Sequence, residues 1–151
     1  MPAGAWTLYN AAKFSIESAG SGDINLASDA FKIALFQAGS NVANAAYSAP
    51  NYNGGGFTNE PSTANGYTVG GVSVTTSISS GGSLVNFLVS DPSWTITGAG
   101  LSVRTAVIYD NTQTLKPALA FCLLDAAPAD IIVVSGNTLK LFINSVLFSM
   151  G

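Results

Sequence analysis

Histidine is absent from this chain of 151 residues, and Cys122 is its only cysteine. Histidine is the commonest general base of enzymes, the usual partner of a serine or cysteine nucleophile, and the commonest zinc ligand. A single cysteine forms neither an intrachain disulfide nor a cysteine cage for a metal. Because Cys122 lies within the apolar run ALAFCLL, we interpret it as a small core residue. We therefore expect no catalytic site, no metal and no cofactor.

Charge is also scarce, at 9% of the chain against about 25% in an ordinary soluble protein. The chain has 5 basic and 8 acidic residues. One partner in a standard protein interface buries about 800 Å² of its surface. On this chain, a patch of that size carries only one or two charges. Such a surface suits burial against other protein better than exposure to water. The composition therefore predicts a subunit of a permanent assembly.

The same composition argues against two classes of partner. Nucleic-acid binding requires clustered cations, but the basic residues here are scattered along the chain: Lys13, Lys32, Arg104, Lys116 and Lys140. The most apolar region, residues 117–134, is interrupted by Asp125, Pro128 and Asp130. It is therefore not a membrane span, and we expect neither a nucleic-acid nor a membrane partner.

The spacing of apolar residues predicts a mainly β domain. Residues 5–18 have the period of a short amphipathic helix, and the alternation in Phe31–Phe36 predicts a strand with one inward face. Further strands are predicted, with turn residues between them, at 69–77, 83–89, 94–96, 103–109, 118–124, 131–134, 138–144 and 146–149. The prediction is a single domain over residues 1–151, an antiparallel β-sandwich of jelly-roll type with one N-terminal helix.

Residues 37–66 interrupt this pattern with a long segment rich in glycine and asparagine. Loops of this length are uncommon in compact domains. The segment either contains a short helix near residues 42–47 or is an arm that becomes ordered against a neighbouring subunit. We favour the arm, because Tyr47, Tyr52 and Phe57 give it side chains with which to dock.

The glycine-rich heptad NGYTVGG at residues 65–71 allows two interpretations. A dinucleotide-binding turn follows a strand, opens a helix and has an acidic residue about 20 positions later. Here β-branched residues follow instead, and no acidic residue lies between Glu60 and Asp91. We therefore interpret the glycines as a bend at the start of a strand, with Tyr67 packed as an anchor.

Carboxylates in pairs can hydrolyse glycosidic bonds. The pairs closest in sequence are Asp23 with Asp29 and Asp125 with Asp130, and all four residues lie beside predicted turns. Because aspartate commonly hydrogen-bonds the backbone of turns, we interpret them as local caps.

Aromatic residues offer a different kind of site, a stacking surface for sugars made of Trp94 with Tyr47, Tyr52 and Tyr67. For Trp94 we favour core packing at the start of a strand. Arg104 shares an alternating face with Ala106 and Ile108, which makes it a candidate for a buried or interface ion pair. The sequence does not name its partner.

Four motifs occur in an order that resembles a group of small tailed-bacteriophage virion proteins. They are FKIALF at Phe31–Phe36, GYTVGG at residues 66–71, DPSW at residues 91–94 and RTAVIYD at residues 104–110. The resemblance covers roughly residues 5–125. It implies a structural component of the virion, a capsid decoration or cement protein on the outer capsid surface that bridges subunits of the major capsid protein.

On this basis the expected function is non-enzymatic stabilisation of a phage capsid by a homo-oligomer, expected to be a trimer. The expected interface residues are Tyr47, Tyr52, Phe57, Tyr67 and Arg104. The alternative is a tail or fibre module that binds host-surface glycans through Trp94 and the tyrosines, since related small β proteins serve in tails and fibres.

Overall fold

The computed structural model describes residues 4–18, 23–125, 127 and 129–151. Pro128, which was expected to interrupt the apolar region at residues 117–134, lies outside the described residues. Strands account for 40% of the chain and helix for 6%, so the predicted mainly β fold with one short helix is confirmed. In chain order the elements are β1 (Thr7–Leu8), α1 (Asn10–Ser18), β2 (Phe31–Phe36), β3 (Val72–Val74), β4 (Thr76–Gly81), β5 (Leu84–Val89), β6 (Ser93–Thr95), β7 (Leu101–Val103), β8 (Thr105–Asp110), β9 (Ala118–Leu123), β10 (Ile131–Val133), β11 (Thr138–Lys140) and β12 (Val146–Met150).

The largest sheet has five antiparallel strands in the order β1-β9-β8-β2-β3. Its central strand β8 is buried along its whole length, because apolar side chains cover both faces. In β2 only Lys32 is partly exposed, so the predicted strand is present but the expectation of one inward face was wrong. The physical reason is that a second layer covers each side of this sheet.

On one side, the cover is a three-stranded antiparallel sheet in the order β12-β5-β4. Phe31 of β2 and Phe87 of β5 meet there edge to face, with ring centroids 5.3 Å apart. Both side chains are fully buried and belong to one hydrophobic core. This contact makes the arrangement sandwich-like, and two short ribbons, β7 with β10 and β6 with β11, extend it.

On the other side, the cover is the segment of residues 37–66, called the long loop below. It contains no helix and no strand, only single bridges between Asn51 and Pro117 and between Ala64 and Tyr67. The extended loop is therefore as predicted, whereas the alternative of a helix near residues 42–47 was wrong. Phe57 of the loop packs edge to face on Phe36 of β2 at 5.7 Å.

Two predicted strands are each divided in the structure. Residues 69–77 become β3 and β4, because Val74 pairs with Phe31 in the large sheet while Thr76 pairs with Val89 in the other. The chain thus crosses between sheets at Thr75. Similarly, β7 and β8 separate at Arg104, whose N–H donates to the carbonyl of Phe36.

The predicted N-terminal helix begins later than expected. Thr7 and Leu8 pair with β9, so the helix starts only at Asn10. Among the described residues, no helix has the length and apolar character needed to span a membrane.

Candidate functional site

Glu60 is the charged residue of the long loop, and its carboxylate organises a polar cluster. It accepts hydrogen bonds from the hydroxyls of Tyr52 at 2.7 Å and Tyr67 at 2.6 Å, and from the N–H of Gly70 at 2.7 Å. Tyr109 donates to the carbonyl of Gly70 at 2.7 Å and stacks on Tyr52 with centroids 4.3 Å apart. These five residues are called the Glu60 network below.

Burial raises the pKa of Tyr52, Tyr67 and Tyr109 above the ordinary value of 10.0. For Tyr52 and Tyr67, hydrogen bonding to Glu60 raises the pKa further, and for Tyr109 the nearby negative charge does so. The phenols therefore remain neutral donors near pH 7. The three hydrogen bonds that this carboxylate accepts connect the long loop to the heptad at residues 65–71 and hold the loop in place.

The glycine-rich heptad belongs to this network, which explains its composition. Gly70 and Gly71 have positive φ values of 94° and 69°. A Cβ atom on Gly71 would lie 1.8 Å from the carbonyl oxygen of Ile33, and one on Gly66 would lie 2.0 Å from that of Thr95. Only glycine lets the backbone approach so closely. The interpretation as a bend that anchors Tyr67 fits this geometry.

The remaining aromatic residues of the long loop pack on their own domain. Phe57 contacts Tyr9, Phe36 and Tyr47, with ring centroids 6.2, 5.7 and 5.7 Å away. The hydroxyl of Tyr47 donates to the carbonyl of Gly55 at 2.9 Å. The expected arm therefore does not need a neighbouring subunit in order to fold, because the large sheet of the same chain offers it an apolar face.

The structure separates the expected interface residues into two groups. Tyr47, Tyr52 and Phe57 are partly buried and lie together in the long loop. Tyr67 is only 2% exposed, so its ring is a core side chain of this chain and has no face for a partner. The interface role of Tyr47, Tyr52 and Phe57 therefore stays a prediction, whereas Tyr67 has no exposed face with which to fulfil it.

Trp94 is 3% exposed, and its indole packs within the core. The favoured interpretation of core packing is confirmed. The sugar-stacking surface proposed for Trp94 and the tyrosines is wrong as drawn, because the rings of Trp94 and Tyr67 face the interior.

Arg104 forms an ion pair within the chain. Its Nε atom lies 2.8 Å from Oδ1 of Asp130, and the two side chains are 34% and 33% exposed. A pair this accessible contributes about 1 kcal/mol or less to stability. It connects the β7–β8 junction to the residue before β10. The expectation of a buried pair was wrong, because both side chains are about one-third exposed, while the place of this pair in an interface stays a prediction.

Three of the four aspartates considered as catalytic pairs bind groups close to them in sequence. Asp23 accepts from Ser15 and Ser18, Asp29 from the N–H of Asn25, and Asp125 from the N–H of Ala127. The interpretation as local caps fits the backbone contacts of Asp29 and Asp125, but it was wrong for Asp130, which binds Arg104. Among the described residues, no group of three or more acidic, cysteine or histidine side chains is placed to hold a metal.

One carboxyl that the sequence did not single out is Asp110, at the end of β8, which is 0% exposed. Burial, followed by the hydrogen-bonded carboxyl of Asp29, raises the pKa of Asp110 to about 6. Its Oδ1 accepts from the N–H of Thr112 at 2.7 Å, while Oδ2 has no partner in the described structure. The raised pKa means that this buried carboxyl keeps its proton up to a higher pH than an ordinary aspartate does.

The outer surface is poor in charge. It measures 7193 Å², and because Asp110 is 0% exposed it is shared by 12 of the 13 charged residues, about 600 Å² for each. Several large apolar side chains are more than half exposed: Phe14, Leu115, Ile132 and Val134. The surface therefore combines scarce charge with exposed apolar side chains.

The neutral surface is most continuous around β4 and β5, which form a hairpin through Gly82 and Ser83. Residues 61–90, which include β3, β4 and β5, contain no charged residue. Ile78, Leu84 and Val85 of the hairpin are exposed. Beside it lies a groove of about 350 Å³, whose lining includes Ile78 of β4, Met150 of β12 and the apolar residues Ile16, Ile24 and Leu26, together with the charged residue Asp23.

In the comparison with known proteins, no protein-family model, no curated protein and no solved structure matches this chain.

Sequence reasoning missed Glu60 and Tyr109. One signal for Glu60 was present, since it is the only charged residue between Lys32 and Asp91. An isolated charge in a neutral stretch requires either water or fixed partners. For Tyr109 there was no such signal, because its partner Gly70 lies 39 positions away.

Proposed function

We propose that this chain is a non-enzymatic phage capsid decoration protein, which stabilises the shell by bridging subunits of the major capsid protein. The observation that carries the proposal is the scarcity of charge on a surface that also exposes large apolar side chains. Desolvating such a surface costs little, because few ionised groups have to leave water. The resemblance of the motif order to small phage virion proteins supplies the kind of partner.

The mechanism is mass action. A protein that binds the assembled shell and not its separated subunits stabilises the shell by an amount that grows with its free concentration. This function requires a rigid domain with broad weakly charged faces and no reacting group. A fully engaged Glu60 network and a long loop folded on its own sheet are compatible with such a rigid domain.

The contact surface in this proposal differs from the one expected from the sequence. A deletion of residues 44–60 would not test whether the long loop contacts a shell. It would remove Phe57 and Glu60 and so uncover the large sheet, and the domain would unfold before shell binding could be measured. The exposed residues of the hairpin and of β10 are better placed to touch a capsid. Leu84 is 46% exposed and Ile132 is 74% exposed.

Copy number and position in the particle test the proposal. Antibodies raised against the purified chain would quantify it in purified virions of the phage that encodes it, and gold labelling would locate it. Hundreds of copies spread over the shell are the expected result. A few tens of copies confined to the tail would overturn the proposal and favour a tail or fibre module, although the burial of Trp94 removes the ring on which glycan binding was to depend.

A second experiment tests the mechanism. Shells assembled from the capsid protein alone should unfold at a higher temperature when the purified chain is added, and the increase should depend on its concentration. Bovine serum albumin at the same concentrations is the control for crowding. Binding without any change in the melting temperature of the shell would contradict a stabilising role.

A further inference from the structure

The strand β4 lies at the edge of the sheet β12-β5-β4, and no strand in the described part of the chain pairs with its outer side. Natural edge strands are commonly protected by charged residues, proline or a bulge. The β4 sequence TSISSG has no charge and no proline, and its register with β5 is regular over all six residues. It therefore presents a straight, neutral, unprotected edge.

The geometry of the hairpin shows which backbone groups face outward. Gly81 and Leu84 are opposite each other and close a two-residue turn, in which Gly82 has a φ of 63°. The closing pair of such a hairpin exchanges hydrogen bonds, and the pairs alternate along the ladder. Ser77, Ser79 and Gly81 therefore bond to β5.

The other three residues of β4 direct their N–H and C=O groups away from β5. They are Thr76, Ile78 and Ser80, and their side chains share the face that carries Phe87. Ile78 occupies the middle position of this set. An antiparallel strand that pairs with the outer edge must therefore use these three residues.

From this pattern we infer that β4 pairs with β4 of a second copy of the chain, antiparallel and about a twofold axis at Ile78. In this register Ile78 lies opposite its own copy, while Thr76 lies opposite Ser80 of the other strand. The two strands exchange about six backbone hydrogen bonds. Every contact is self-complementary: apolar against apolar, and hydroxyl against hydroxyl.

A second copy suits this edge better than an unrelated strand for two reasons. The strands β4 and β5 carry no charge, because residues 61–90 contain none, so the opposite side chains of two paired β4 strands meet without like-charge repulsion. Asp23, which lines the groove beside Ile78, lies outside the paired strands. The register also places the only large apolar side chain of β4 on the symmetry axis, where it contacts its own copy. An isologous contact of this kind closes at two copies, whereas the sequence led us to expect a trimer.

Two charge substitutions on adjacent residues test the inference in solution. The mass of the purified chain is measured by sedimentation over a hundredfold range of concentration. Wild-type protein should form a dimer. Ile78→Lys places two lysines opposite each other at the axis and should weaken the dimer about tenfold or more, whereas Ser79→Lys adds the same charge on the opposite face and should weaken it much less.

Disulfide trapping tests the register independently of stability. Opposite residues of a hydrogen-bonded pair have Cα atoms about 5.5 Å apart, which is within disulfide range. Ile78→Cys should therefore form a covalent dimer under mild oxidation. Ser80→Cys should not, because its copy would lie about 14 Å away along the strand; buried Cys122 is the native background.

Three results would overturn the inference. The first is a wild-type protein that stays monomeric over the whole concentration range. The second is a trimer, because a trimer requires β4 to pair with a different edge, such as that of β12. The third is faster trapping of Ser80→Cys than of Ile78→Cys. Circular dichroism melting of each variant separates a lost dimer from a lost fold. Because none of these assays uses capsid shells, they are independent of the proposed function.

Discussion

Replacing Glu60 with alanine removes the acceptor of three hydrogen bonds, from the hydroxyls of Tyr52 and Tyr67 and from the N–H of Gly70. A hydrogen bond to a charged group contributes about 1.5–3 kcal/mol. The partly buried Tyr52 can turn to water. Gly70 is buried and loses its partner, whereas the buried hydroxyl of Tyr67 keeps only its contacts with the backbone of Leu35. We therefore expect the free energy of unfolding to fall by about 3–5 kcal/mol.

Urea unfolding followed by tyrosine and tryptophan fluorescence measures this change, provided that the slope of the transition is unchanged. Glu60→Gln keeps an oxygen that accepts from Tyr67 and Gly70 but loses the charge, so its cost should be smaller, about 1–2 kcal/mol. Glu17→Gln removes a carboxylate from the exposed face of α1. This control should stay within about 0.5 kcal/mol of wild type.

A structural readout complements the stability measurement. If Glu60 fixes the long loop, amide hydrogen exchange in residues 51–60 should accelerate in Glu60→Ala while exchange in β8 changes only as much as global stability requires. A stability loss in Glu60→Ala no larger than that in Glu17→Gln would refute the role of the network. So would unchanged protection of the loop in a clearly destabilised variant.

Three further predictions follow from individual sites. Gly71→Ala should lower the free energy of unfolding, measured in urea, by about 3 kcal/mol or more, because the new Cβ would lie 1.8 Å from the carbonyl oxygen of Ile33. The control Gly81→Ala should be nearly neutral, because no atom lies within 4 Å of the position of its Cβ. Burial raises the pKa of Asp110 to about 6, so between about pH 4 and pH 6 the folded state keeps a proton that the unfolded chain has released. Stability should therefore fall as pH rises from about 4 to about 6. Urea midpoints measured across this range should show this slope, and Asp110→Asn should abolish it. Burial also raises the pKa of Cys122 to about 12, so Ellman's reagent at pH 8 should label it only after urea is added, and labelling of the native protein would contradict its placement in the core.

The parts of the fold that could be predicted depend on local patterns. Strand β2 begins at Phe31 and ends at Phe36 as expected, and β9 differs by one residue, ending at Leu123. Alternating apolar residues define a strand and glycine or aspartate ends it, and both signals lie within a few positions. The mainly β class follows from many such signals, each of which is independent of the others.

The parts that could not be predicted depend on contacts between distant residues. The division of residues 69–77 is set by two partners, since Val74 pairs with Phe31 and Thr76 with Val89. No property of Thr75 itself marks the crossing. In the same way, composition predicts that residues 37–66 are irregular, but only the apolar face of the large sheet decides that they fold inward.

Composition and topology constrain the candidate surface in different ways. Scarce charge predicts that part of the surface is covered by protein, but it applies to the whole chain and identifies no face. The strand order adds the location, because it leaves β4 at an edge while Thr76, Ile78 and Ser80 direct their backbone groups outward. A neutral edge without proline or bulge is an aggregation hazard for a protein that remains alone. Pairing of that edge would give its outward N–H and C=O groups hydrogen-bond partners and so remove the hazard.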